Sequence, residues 1–256
     1  MLRLIVSLAI CLILASRSAI ADETVAAKQY KALLDEYEQE GGVRTFAKRF
    51  LALAEEHWKD PAATDALMWV VKKVRGRADT TRALELLAAN HLDCKKLGAA
   101  SVDVARSRSL AAEKLLRAAL AKSPHVEVRA QACYYLALLL DSEAGITEQL
   151  KASPDLAPRV LQYYGADYGK HLSSLDSGEL AEEREQVYET LLKSFGNVET
   201  EDATLGKIAE KALFAIRHLA VGKVAPEIQG EDIRGNELKL SDYRGKVVMI
   251  SFWGDW

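Results

Sequence analysis

Through residues 22–221 apolar side chains recur three and four positions apart, which is the spacing that sets one face of an α-helix against a core. The whole chain of 256 residues has only 5 Pro and 15 Gly, the residues that punctuate loop-rich β folds, so a mainly helical body follows. Asp60-Pro61 supplies an N-cap and a first-turn proline, and Ala63, Leu67, Val70, Val71 and Val74 then share a face up to Gly76. Ser123-Pro124 repeats the device before a helix expected over 126–140, while Ala112, Leu116, Ala119 and Leu120 mark the preceding helix. The two read as a hairpin. Further helices are expected over 24–39, 43–57, 80–91, 179–195 and 204–221. In the last, Leu205, Ile208, Ala209, Ala212, Ile216 and Leu219 face inward, with Gly222 as the stop. The polar stretches 141–156 and 165–178 read as breaks between helix groups, giving an irregular array of helical hairpins.

Charge narrows the function classes. The 34 Lys and Arg against 37 Asp and Glu give a formal net charge of −3, which offers no basic field for nucleic acid. Residues 1–21 open with Met1-Leu2-Arg3, continue as an apolar run from Leu4 to Ala15, and close with Ala19-Ile20-Ala21. They read as a secretory signal peptide cleaved after Ala21. About twelve apolar residues fall short of the roughly twenty a membrane span needs, so no stable span is expected; a lipid anchor on Cys11 is the weaker alternative. The expected location is periplasmic or secreted.

Export places Cys94 and Cys133 in an oxidising compartment, where a disulfide is one possibility. Cys133, however, falls on the stripe of Val126, Ala130, Ala137 and Leu140, which favours a buried, unpaired thiol. Neither Cys belongs to a Cys-x-x-Cys pair. His57, His91, His125, His171 and His218 show no paired-ligand or triad spacing and read as surface or capping residues. Tyr163, Tyr164 and Tyr168 read as packing side chains, the alternative being a groove for a peptide. No catalytic, cofactor-binding or metal-binding residue is identified, and no cofactor is expected. The order Leu116, Ala119, Leu120, Pro124, Ala130, Tyr134 resembles a tetratricopeptide-type helix pair, which suggests a protein partner for the helical body.

At Gly222 the pattern changes. Ala225-Pro226-Glu227-Ile228 reads as a short strand, Asp232–Asn236 as a hairpin turn, and Leu238-Lys239-Leu240 as an edge strand. Val247–Trp253 reads as a central strand covered on both faces. A second domain over 222–256 is expected after the helical domain at 22–221.

The series Gly222-Lys223-Val224-Ala225-Pro226-Glu227-Ile228, Asp232-x-x-Gly235, Leu238-x-Leu240-Ser241-Asp242-Tyr243-Arg244-Gly245-Lys246-Val247-Val248 and Phe252-Trp253-Gly254-x-Trp256 resembles the opening of the redoxin group of thioredoxin-like proteins. These are the exported TlpA-like thiol–disulfide oxidoreductases and, more distantly, the alkyl hydroperoxide reductase and thiol-specific antioxidant peroxiredoxins. The resemblance implies a fold class of mainly α followed by the N-terminal part of an α/β thioredoxin-like domain. It also implies a Cys-x-x-Cys directly after the aromatic element, where a helix N-terminus lowers a thiol pKa. The sequence reaches Trp256, before that pair, so no catalytic residue is carried over. Trp253 and Trp256 match the aromatic element, with packing and shaping of the site mouth as their implied roles. The function implied is thiol–disulfide oxidoreduction on protein dithiols and disulfides, the chain as given lacking its catalytic pair. A helical protein-interaction module and a peroxiredoxin-type peroxidase are the alternatives.

Overall fold

The computed structural model describes residues 23–74 and 78–254. Residues 1–21, read above as a signal peptide, and Gly76 and Trp256 lie outside the described residues. The chain divides into two compact units, residues 1–174 and 175–256.

The first unit is helical. Its elements are α1 (Val25–Glu40), α2 (Val43–Glu56), α3 (Pro61–Lys73), α4 (Ala78–Asn90), α5 (Lys96–Arg106), α6 (Leu110–Lys122), α7 (Val126–Ala152), α8 (Ala157–Tyr164) and α9 (Ala166–Ser174). Their starts follow cap chemistry. Thr24 Oγ1 accepts the Ala27 N–H at 3.1 Å, Asp60 Oδ1 accepts the Ala62 N–H at 2.9 Å and Ser109 Oγ accepts the Ala112 N–H at 3.2 Å. The α1–α2 turn needs φ of 70° at Gly41 and 84° at Gly42, a region glycine enters without strain.

Each helix packs on its sequence neighbour or the next one. α1 lies on α2, α2 on α3, α3 on α4, α4 on α6, and α5 and α6 both on α7. The core begins with aromatic rings, Phe50 and Trp69 having centroids 4.3 Å apart and Tyr37 meeting Trp69 edge-on at 4.9 Å. It continues through Leu67, Leu84, Leu87, Leu115, Leu116, Leu136 and Leu140, all buried.

Three features depart from the sequence reading. The helix expected to stop at residue 140 continues to Ala152, because Glu143, Ala144 and Thr147 are buried and tertiary contact carries the helix through a polar stretch. Helix α9 occupies most of the stretch read as a break at 165–178, with Tyr168 and Leu172 buried. Helix α5 carried no strong periodic signal since its inner face is Leu97, Gly98, Ser101 and Val104. A Cβ on Gly98 would lie 3.5 Å from Val128 Cα, so the small residue permits close approach to α7.

The second unit begins with α10 (Ser177–Phe195), whose N-cap Asp176 accepts the N–H groups of Gly178 and Glu179 at 2.8 and 3.0 Å. It packs on α11 (Leu205–Phe214), which passes into a π-turn at Ala215–Leu219. Leu205, Ala209 and Leu213 are buried, but Leu219, read as inward, is exposed. Close approach at the α10–α11 connection is enforced by glycine, as a Cβ on Gly206 would meet Gly196 O at 2.8 Å.

Two short strands follow, β1 (Gln229–Glu231) and β2 (Glu237–Lys239), paired antiparallel with Gly230 opposite Leu238. The expected hairpin turn is present. Asp232 Oδ1 accepts the N–H groups of Arg234 and Asn236 at 2.8 and 2.9 Å, and Gly235 has φ of 81°. The expected strand at Ala225–Ile228 is shifted, its role being taken by Gln229–Glu231. Val247–Trp253, read as a central strand, takes no sheet pairing, and Val247, Met249, Phe252 and Trp253 are exposed. An apolar strand is held by neighbours on both edges, and among the described residues the sheet consists of β1 and β2. The described chain is therefore mainly α with one hairpin.

Truncation of the aromatic core should be costly. Phe50→Ala is expected to destabilise the helical unit by about 3–5 kcal/mol in urea unfolding followed by circular dichroism. Tyr163→Ala, at a ring 77% exposed, should change stability by less than about 0.5 kcal/mol.

Candidate functional site

The thiols do not form a redox pair in this structure. Cys133 on α7 is buried, and burial pushes its thiol up to about 12. At pH 8 its thiolate fraction is then roughly one in ten thousand, too little for exchange chemistry. Cys94 lies in the turn before α5, part-exposed, and its N–H bonds to His91 O at 3.1 Å. The two are separate thiols, as the stripe containing Cys133 implied. Trp253, matched to the aromatic element of redoxins, is 85% exposed.

Polar chemistry gathers instead in the first unit, on residues that spacing alone did not single out. Glu113 on the first turn of α6, Glu143 in the middle of α7 and His171 on α9 converge so that one ligand atom from each lies within 4.8 Å of the others. His171 Nε2 is 3.7 Å from Glu113 Oε2 and 3.9 Å from Glu143 Oε1. Arg117, one turn along α6, holds the other Glu113 oxygen with Nε at 2.9 Å and Nη2 at 2.7 Å. Tyr168 donates its O–H to Glu143 Oε1 at 2.6 Å, and its ring stacks on His171 with centroids 5.8 Å apart. Burial and then the Glu143 charge raise the Tyr168 phenol far above its ordinary value, so it remains a donor.

Tyr168 also lines a cavity of about 890 Å³ with Arg82, Arg108, Lys114 and Tyr164. Arg108 has φ of 44°, the left-handed region that non-glycine residues seldom enter, and its Nη1 donates to Tyr164 Oη at 3.0 Å. Tyr164 and Tyr168 therefore line a concavity rather than only packing, whereas Tyr163 points outward.

The reading of every histidine as surface or capping needs correction at two positions. His91 is buried and its Nδ1 lies 3.0 Å from Thr64 Oγ1; burial lowers its pKa. His171 is part-buried, with Nε2 shielded from solvent and lacking a hydrogen-bond partner. Both sit on elements brought together by tertiary folding, which a sequence spacing rule does not register. The visible hint was Tyr168 and His171 one helical turn apart, on a stretch that read as a break.

No family model and no solved structure matches the chain. Part of it is similar to curated thiol–disulfide oxidoreductases named ResA. It is 53% identical over 38 residues to the protein of Geobacillus kaustophilus, a stretch that covers 15% of this chain and 22% of the relative. It is 40% identical over 53 residues to that of Bacillus subtilis, covering 20% of this chain and 30% of the relative. The chain thus spans less than a third of the length of either relative. These partial matches support a redoxin-type segment. No helix among the described residues is long and apolar enough to cross a membrane.

Thiol accessibility follows from this geometry. In the chain starting at Asp22, Cys94 should react with an aromatic disulfide reagent under native conditions and Cys133 only on unfolding. Two alkylatable thiols are expected after denaturation without reductant. None would reveal a bridge, and fast native labelling of both would contradict the burial of Cys133.

Proposed function

We propose that this chain joins an exported helical body to the leading part of a redoxin-type thiol–disulfide oxidoreductase domain. The observation that carries the reading is the local identity of 40–53% to ResA proteins. It is supported by the ordered series of residues from Gly222 to Trp253 and by the Asp232-to-Asn236 hairpin turn they form. On this reading residues 1–21 are removed on export, residues 22–221 are the helical domain, and residues 222–256 open the redoxin domain. The chemistry is attack of a thiolate on a protein disulfide, formation of a mixed disulfide, and its resolution by the second thiol. No residue from 222 to 256 is a cysteine. Cys133, with its thiol near 12, does not substitute for one.

A second reading is a helical module that binds a partner and needs no redox chemistry. The cavity bordered by Arg108, Tyr164 and Tyr168 favours it. The two readings part on activity. Insulin reduction with dithiothreitol should show no turnover by the 256-residue chain above its Cys94→Ser/Cys133→Ser variant. A chain extended through a Cys-x-x-Cys after Trp256 should turn over. Activity of the short chain above its control would contradict the assignment of the chemistry to a Cys-x-x-Cys pair, and an inert extended chain would favour the binding module.

A further inference from the structure

The Glu113, Glu143 and His171 cluster belongs to the helical unit and is independent of the redoxin reading. We propose that these three side chains form a binding site for one divalent transition-metal ion of the zinc class, joining α6, α7 and α9.

The geometry is that of ligand atoms around a common centre. Zinc takes imidazole nitrogen and carboxylate oxygen at about 2.0–2.2 Å, so tetrahedral ligands stand about 3.4 Å from one another. The separations of 3.7 and 3.9 Å from His171 Nε2 exceed this by a few tenths of an ångström, and the three ligand atoms lie within 4.8 Å of one another, so side-chain rotations that move them by roughly an ångström bring them around one ion. The same separations are too long for direct hydrogen bonds, whose N···O distances run about 2.7–3.2 Å. A plain imidazolium between two carboxylates would leave its buried N–H without a partner, as Nε2 is shielded and unbonded. With its proton on Nδ1, the imidazole instead offers the shielded Nε2 lone pair to a cation that the Glu113 and Glu143 carboxylates also face.

The surrounding groups are those a metal site uses to fix its ligands. Arg117 occupies Glu113 Oε1 and leaves Oε2 facing His171, while Tyr168 anchors the Glu143 carboxylate and stacks on the imidazole. One imidazole with two carboxylates selects a borderline ion over magnesium, which prefers all-oxygen shells with several waters. Of the ligands, the Glu143 side chain is 1% exposed, Glu113 15% and His171 24%, so the set sits at the edge of the core with one ligand fully inside it.

The test uses the tag-free chain from Asp22, stripped with chelator and titrated with Zn²⁺ by calorimetry, with Mg²⁺ as comparison. One Zn²⁺ per chain is expected, with little Mg²⁺ uptake. Affinity should fall at least about tenfold in Glu113→Gln, His171→Gln and Tyr168→Phe, and stay unchanged in Cys94→Ser. Zn²⁺ should raise the melting temperature of the parent chain and not of the ligand variants. Because a ligand variant could misfold, Co²⁺ is added to the parent chain. Visible d–d absorption without a thiolate charge-transfer band is expected, and is lost on adding Zn²⁺. Absence of stoichiometric Zn²⁺ uptake, a thiolate band, or undiminished affinity in folded Glu113→Gln and Tyr168→Phe would overturn the proposal.

Discussion

Backbone hydrogen bonding divides this chain in two. A helix satisfies its own N–H and C=O groups and asks of its neighbours only that they cover its apolar face. A strand must also find a partner strand along at least one edge, and a central one along both. Residues 25–174 meet the first condition repeatedly, with caps at Thr24, Asp60 and Ser109 and a leucine and aromatic core between successive helices. Val247–Trp253 has the composition of a central strand but lies unpaired and exposed. Both the stability of the helical unit and the exposure of residues 247–253 descend from this difference.

Much of the helical architecture was legible because its signals are local. Asp60-Pro61 fixed a helix start, whereas Ser123 ends α6 and His125, not Ser123, stands at the N-cap of α7; the stripe that holds Cys133 identified a buried face at Ala130, Ala137 and Leu140, with Val126 exposed. The reading failed where tertiary contact overrides local pattern. Polar residues between Asp141 and Ala152 stay helical because Glu143 and Thr147 find partners in α9, and α5 buries glycine and serine instead of leucine. The hairpin turn was legible from Asp232, Gly235 and Asn236, since an Asx side chain and a left-handed glycine specify it locally. The exposed state of residues 247–253 was not, because the amphiphilicity of a strand says nothing about which neighbours it has.

The polar cluster illustrates the same limit for function. Glu113, Glu143, Tyr168 and His171 come from three helices, and only the packing of α6 and α9 against α7 makes them neighbours. The C-terminal segment is the opposite case. Its ordered motif was legible as redoxin-like, and the local identity to ResA proteins agrees, while its fold depends on partners that sequence spacing does not supply.

The central claim, that residues 247–253 have no sheet partner in this structure while the helical unit covers its own apolar faces, is tested by hydrogen–deuterium exchange on the 256-residue chain and on one extended by a complete redoxin domain. In the short chain, amides of Val247–Trp253 should exchange within seconds while those of α3, α6 and α7 stay protected. In the extended chain the same seven-residue segment should become protected. Strong protection of these amides in the short chain, or none in a folded extended chain, would contradict the account.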